Sequence, residues 1–221
     1  MALDKKAQAG QRVRELAQRM LPTGDIAGLF DAVYATANGD ASGVPWADLQ
    51  PHPVSLAWLQ QHNVLGHKRR ALVVGCGLGD DAEDLAGRGF VVTAFDVSPT
   101  AIAWCQRRFP ASSVNYQVAD LFNAPSAWQQ AFDLVQEIYT IQALPVTMRR
   151  QAIEHIASFV APDGQLLIVC RGREPQDDPG TMPWPLTRAD LDIFQQSGLH
   201  EESFEDIRSE DARHFRVVYR R

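Results

Sequence analysis

Apolar and polar positions follow two rhythms along the chain. Up to about residue 65 they recur at helical spacing; from Arg70 onward short apolar runs alternate with amphipathic stretches. Residues 4–20 place Val13, Leu16, Ala17 and Met20 on one helical face, with Arg12, Arg14, Gln18 and Arg19 elsewhere. Pro22-Thr23-Gly24 breaks that helix. A second, Ile26 to Ala37, has Leu29, Phe30, Val33 and Tyr34 as its apolar side. The turn-rich loop 38–43 and the Pro-rich stretch 44–53 are too irregular for either period. A third helix, Val54 to His62, carries Leu56, Trp58 and Leu59.

The second rhythm predicts strand 71–75, helix 80–88, strand 90–95, a helix from Ser98-Pro99 to Arg108, and strand Val114 to Val118. Strand Phe132 to Ile138 follows, then a helix from Thr147 to Phe159. Pro162-Asp163-Gly164 turns into strand Gln165 to Cys170, and Thr187 caps a helix to Ser197. Strands 201–207 and 213–220 are close enough in sequence to pair as an antiparallel hairpin. Alternating βα units of this kind predict an α/β, Rossmann-like fold. Its seven-stranded sheet is mostly parallel, with a C-terminal antiparallel hairpin, helices on both faces and an N-terminal helical lid. Residues 1–65 are read as cap and lid, and 66–221 as the core of one compact unit. Within the first segment, 20–50 are expected over an acceptor pocket and 1–20 as cover for the sheet.

The chemistry is concentrated in residues 71–81, Ala-Leu-Val-Val-Gly-Cys-Gly-Leu-Gly-Asp-Asp. An apolar strand runs into a turn with glycines at alternate positions, then into a helix, leaving room for a ligand against the backbone. The run Val91–Phe95 ends in Asp96, the expected partner of two ribose hydroxyls at the tip of a second strand. A dinucleotide fingerprint wants glycine where Asp80 stands, and a carboxylate there would face a pyrophosphate. The spacing therefore suits a nucleoside ligand without phosphate, S-adenosylmethionine (SAM), whose demethylated product is S-adenosylhomocysteine (SAH). Gly75, Cys76, Gly77 and Gly79 would lie under its amino-acid tail, and Asp80 would take its ammonium. Asp96 would hold the ribose, with Val97, Asp120 and Leu121 around the adenine and Glu137 at the tail.

Strand-end residues supply the remaining candidates, because ligands of open α/β sheets lie outside the carboxyl ends of the strands. Glu137 and Tyr139, ending the fourth strand, are candidate catalytic residues. Trp46, Tyr139, Arg171 and Trp184 are candidate walls and holds for the acceptor. Glu137 could take a proton, touch the cofactor tail or orient Tyr139. Each residue also has a plainer reading as core, turn cap or solvated loop.

Composition narrows the partners. A net charge of −6 leaves no broad basic surface for nucleic acid, and no apolar run approaches the roughly 18 residues of a membrane helix. Three cysteines in 221 residues suggest a reducing, cytoplasmic setting without a disulfide framework. The six histidines show no metal-ligand spacing, and no metal is expected.

With these residues in view, 70–221 resembles the class I SAM-dependent methyltransferase superfamily. A narrower resemblance is to the thiopurine S-methyltransferase and halide/thiol methyltransferase group. It rests on Val73 followed by Gly75-Cys76-Gly77-Leu78-Gly79-Asp80, on Pro45-Trp46, on Tyr139-Thr140 with Leu144-Pro145 and Arg149, and on Met182-Pro183-Trp184-Pro185-Leu186-Thr187. The likeness implies an enzyme that methylates a small sulfur nucleophile or other soft acceptor. An oxygen or nitrogen acceptor, or a SAM-binding module without turnover, are the alternatives, and a nicotinamide oxidoreductase is disfavoured by Asp80.

Overall fold

Runs of four to seven apolar residues, too short for buried helices, assemble here into one sheet. The computed structural model describes residues 2–209 and 212–221. Its strands are β1 (Arg70–Val74), β2 (Val91–Asp96), β3 (Asn115–Val118), β4 (Phe132–Ile138), β5 (Val160–Arg171), β6 (His200–Arg208) and β7 (Arg213–Arg220). Among the described residues they form one seven-stranded sheet in the order β3-β2-β1-β4-β5-β7-β6. β1 pairs in parallel with β2 and β4, β2 with β3, and β4 with β5. β7 runs antiparallel between β5 and β6.

The helices are α1 (Ala2–Met20), α2 (Ile26–Ala37), α3 (Pro53–Gln61), α4 (Asp80–Gly87), α5 (Pro99–Arg108), α6 (Val146–Phe159), α7 (Arg188–Leu191) and α8 (Ile193–Gln196). Successive strand residues point to opposite faces, so each strand feeds two cores. Leu72, Val74, Val135 and Ile168 meet Ile153, Ile156 and Phe159 of α6 and Phe194 of α8. On the other face Ala71, Val73, Leu134 and Leu167 meet Trp58 and Leu59 of α3 and Ala82 and Leu85 of α4. Each fully buried Leu, Val or Phe contributes about 1.5–3 kcal/mol, so neither core tolerates a polar substitution.

Three expectations are corrected. α1 does not serve as sheet cover: its buried Val13 and Ala17 pack on Leu29 and Val33 of α2 and on Met182. One sheet face is covered by α3 with α4, and the apolar stripe of α1 closes on α2. The helix begun by Thr187 breaks at Asp192 into α7 and α8; its capping box, Thr187 with Asp190, forms as the residues suggest. Pro162-Asp163-Gly164 is not a turn ahead of β5 but a kink within it, with Asp163 at φ +62°. Pairing with β4 shifts register there, between Phe132 and Leu134.

Candidate active site

The chain leaves β1 through three glycines with left-handed backbone: Gly75 at φ +59°, Gly77 at +54° and Gly79 at +91°. A side chain at Gly75 would strike Thr140 Oγ1 at 2.3 Å, and one at Gly79 would strike Tyr116 Oη at 2.5 Å. Cys76 N–H donates to Phe95 O at 2.9 Å and Gly77 N–H to the Asp96 carboxylate at 3.0 Å, drawing the loop across the end of β2. The other Asp96 oxygen accepts from Ser98 N–H at 2.9 Å. Burial pushes this carboxyl up to about 6, against the pull of those backbone donors. Each oxygen receives one of these two bonds and retains acceptor capacity for a further donor, so Asp96 can still accept from two hydroxyls. A buried carboxylate beside a cradle that only glycine can line fits the nucleoside moiety expected here.

Asp80 has a different partner from the one expected. Both its oxygens are held by Arg108 of α5, at 2.8 and 2.7 Å, and the pair braces the loop to α5. Its neighbour Asp81 turns to the opposite side, accepting from His52 N–H at 3.1 Å, and burial raises its carboxyl to about 6. Cys76 lies beside Cys105, whose thiol donates to Gly77 O at 3.1 Å. Asp120 is exposed and caps its own turn through Phe122 N–H at 2.9 Å, while Leu121 is buried. Val97 is half-buried next to Asp96.

Two residues at this end escaped the sequence reading. Tyr34 of α2 is buried, its hydroxyl 3.3 Å from where a side chain at Gly77 would begin. Trp46 donates to it through the indole N–H at 2.9 Å, and the same ring meets Phe30 edge-on. Asp31, on the same helix, accepts from Ser98 Oγ at 2.6 Å and Thr100 N–H at 3.0 Å, capping α5 from outside. Both sit in a helix whose apolar stripe accounts for its burial, so nothing in the pattern separates them as functional.

At the end of β4, Glu137 is fully buried. One of its oxygens caps the following turn, accepting from Thr140 N–H at 2.6 Å and Ile141 N–H at 3.1 Å. The other is sealed without a partner, and burial pushes the carboxyl up to about 7. Tyr139 stands just beyond, at φ +65°, a strained backbone for a bulky residue. Its hydroxyl lies 2.9 Å from His52 Nε2 and 2.6 Å from His214 Nε2. His214 was missed; its place follows from the antiparallel register, which sets it opposite Arg171 on β5. Arg171 is exposed, and its positive charge bears on Tyr139 and both imidazoles. Trp184 lies apart from this group: its N–H donates to Gln142 O at 2.8 Å, and the Arg149 guanidinium stands 5.9 Å from its ring. A concavity of about 410 Å³ lined by Trp58, His62, His67, Arg69 and Gln165 opens beside the start of β1, away from all of these residues.

The sheet order and the glycine turn after β1 define the class I methyltransferase fold. Residues 71–164 match the family described as methyltransferase domain. Nodulation protein S of Sinorhizobium fredii is 36% identical over 99 residues, 44% of this chain and 45% of that protein. Ubiquinone biosynthesis O-methyltransferase of Azotobacter vinelandii is 28% identical over 127 residues, 57% of this chain and 53% of that one. The chain thus matches about half the length of these curated relatives. The fold is shared with 1,6-didemethyltoxoflavin-N1-methyltransferase of Burkholderia thailandensis, solved with its substrate and SAH. There the TM-score is 0.69 at 16% identity, covering 90% of this chain and 89% of that one. No helix among the described residues is long and apolar enough to cross a membrane.

Proposed function

We propose that the protein transfers the methyl group of SAM to an oxygen or nitrogen atom of a small molecule. The observation that carries this reading is the buried Asp96 carboxylate bound to Gly77 N–H at the end of β2, against a cradle of left-handed glycines. In it Gly75, Cys76, Gly77 and Gly79 line the cofactor's amino-acid tail, Asp96 accepts from the ribose hydroxyls, and Val97, Asp120 and Leu121 flank the adenine. Asp80 braces the loop through Arg108 rather than binding the ammonium. Glu137 positions the turn that carries Thr140 and Ile141, and Tyr139 faces the acceptor with Arg171. Trp46 and Tyr34 close the cofactor side, and Trp184 stands on the acceptor's outer wall.

Bound SAM supplies an already activated methyl group, so the protein's task is alignment of the acceptor and exclusion of water. The lid built from α1, α2 and Met182 suits the second task. The sulfur acceptor implied by the narrower resemblance rests on that resemblance alone, whereas a curated relative is named for O-methylation. The cysteines are free thiols, in keeping with a reducing compartment such as the cytoplasm.

Calorimetry with SAM and SAH, joined to a labelled-methyl screen of phenols, alcohols, amines and thiols, tests the reading. Asp96→Ala is expected to weaken SAM binding by about 1–3 kcal/mol, the value of hydrogen bonds to a charged group. Unchanged affinity in that variant would remove Asp96 from the cofactor site, and transfer confined to thiols would restore the sulfur acceptor.

A further inference from the structure

Three arginines gather where β5 ends. Arg171 closes the strand, Arg173 follows it, and Arg149 stands in the first turn of α6. One knot of hydrogen bonds joins them. Arg171 N–H donates to Gln142 Oε1 at 2.7 Å, and Trp184 N–H to Gln142 O at 2.8 Å. Leu186 N–H donates to Arg171 O at 2.8 Å, and Arg173 N–H to Leu186 O at 2.9 Å. Arg149 ties α6 into the same knot, Nε donating to Leu144 O at 3.2 Å and Nη2 to Trp184 O at 3.4 Å.

Every acceptor in this knot is an uncharged carbonyl. Among the described residues, none of the three guanidinium groups is bonded to a carboxylate. Arg173 is engaged by the backbone oxygens of Pro185, Glu174, Pro175 and Asp177. Arg149 is the anomaly: it is 5% exposed, and a cation so deeply buried is ordinarily paired. Burial pulls its pKa down and Arg173 adds to that. Asp190 opposes them, from a carboxylate already bound to Thr187 in the cap of α7.

Two donors of the knot have no acceptor. Arg149 Nη1 and Gln142 Nε2, the latter on a side chain 1% exposed, make no hydrogen bond among the described residues. Neither belongs to the partnerless atoms that are sealed from solvent, so both are open to an incoming group. Arg171 is exposed, and its charge bears on His52 and Tyr139, with Asp48 acting against it. Two open donors and two uncompensated cations, in a chain of net charge −6, match an anion.

We propose that the methyl acceptor carries an oxyanion, a carboxylate or a phosphate, held by Arg149 Nη1 and Gln142 Nε2 beside the charge of Arg171. The proposal rests on the methyltransferase reading above and names the acceptor class for it. A guanidinium is a planar fork that meets two oxygens of such a group at once. The anion thereby fixes the acceptor's orientation, and alignment is the main thing the protein supplies to this reaction. Trp184, its ring 5.9 Å from the Arg149 guanidinium, gives the same molecule an apolar wall. A neutral analogue would leave the buried cation unpaired and forgo the charge-assisted bonds.

The test titrates three matched probes into the full chain with SAH: 4-hydroxybenzoate, 4-hydroxyphenyl phosphate and the neutral 4-hydroxybenzamide. At least one anion should bind about ten-fold more tightly than the amide, and the tighter of the two names the oxyanion. Arg149→Gln should abolish that preference, and Arg149→Lys should restore it only in part, because the fork is lost. Arg171→Gln, a surface change that leaves the core intact, should cut it several-fold and decides alone if Arg149→Gln does not fold. Arg150→Gln, exposed next to Arg149 on α6, should leave it unchanged. A purely structural Arg149 would weaken all three probes alike and keep their ratio, which overturns the proposal. An amide that binds as well as both anions, or three probes that fail to bind, overturns it too. Calorimetry with SAH alone separates the readings. No SAH binding in the unmodified chain defeats the SAM site itself, and intact SAH binding without a preference for the anions defeats only this proposal.

Discussion

The two ends of the site are built differently. The proposed cofactor end, from β1 to β3, is made of neighbours in sequence: Gly75, Gly77 and Asp96 lie within about twenty residues, and backbone N–H groups do most of the holding. The end proposed for the acceptor draws on His52, Tyr139, Arg171 and His214, spread over most of the chain, and side chains do the holding. A site assembled from backbone and glycine tolerates almost no change at its few special positions. One assembled from side chains on a fixed sheet can be respecified one residue at a time, which suits the end proposed to meet the acceptor.

Substitutions at the two ends can break or sharpen that contrast. The largest effect is expected from Gly75→Ala, which forces alanine into a left-handed conformation and drives its methyl onto Thr140. Folding stability should fall by about 3 kcal/mol, measured by denaturant unfolding. A loss below 1 kcal/mol would mean that the cradle is adaptable and the contrast false.

Next comes the pH dependence contributed by Glu137. Its carboxyl, raised by burial to about 7 in the fold against 4.5 for the free group, keeps its proton where the unfolded chain has lost it. The folded state therefore binds more protons between pH 4.5 and 7, and stability falls as pH rises through that window, by about 3 kcal/mol. Asp96 and Asp81, each raised to about 6, act in the same direction over a lower window. Glu137→Gln should remove the upper part of the slope, leaving a flatter stability curve between pH 6 and 7. A curve as steep as that of the unmodified chain would show Glu137 already ionised in the fold.

The smallest effect joins the two ends. Asp31→Ala removes the outside cap of α5 and the bond to Ser98, which itself holds Asp96 in place. A cost of about 1 kcal/mol in stability is expected, with a comparable loss of SAM affinity by calorimetry. Lost stability without lost affinity would confine α2 to a structural role.

The same contrast governs what could be read from the residues alone. The alternation of strands and helices, the C-terminal hairpin and the glycine turn were legible because each depends on local period or spacing, and so was the place of Asp96 at the end of β2. Spacing could not show that Asp80 meets Arg108, its direct hydrogen-bond partner 28 residues along the chain. Tyr34, His52 and His214 have meaning only in relation to partners that the fold brings together. Tyr139 was picked out by its place at a strand end, yet neither its φ of +65° nor its two imidazole partners has any signature in the sequence. The destination of α1 on α2 and Met182 likewise depends on partners that its own apolar stripe does not name.

The placement of β7 between β5 and β6 carries a consequence for the order in which the protein assembles. β6 precedes β7 along the chain, yet among the described residues its one neighbour in the sheet is β7, so it joins the sheet through the later strand. His214 and Arg216 arrive with that strand. The half from β1 to β3 can mature while the growing sheet still lacks them, and long-range pairing of this kind is the slow part of folding. Insertion of one late strand between two others thus sets the moment at which the end of β4 gains the side chains that pack on Tyr139.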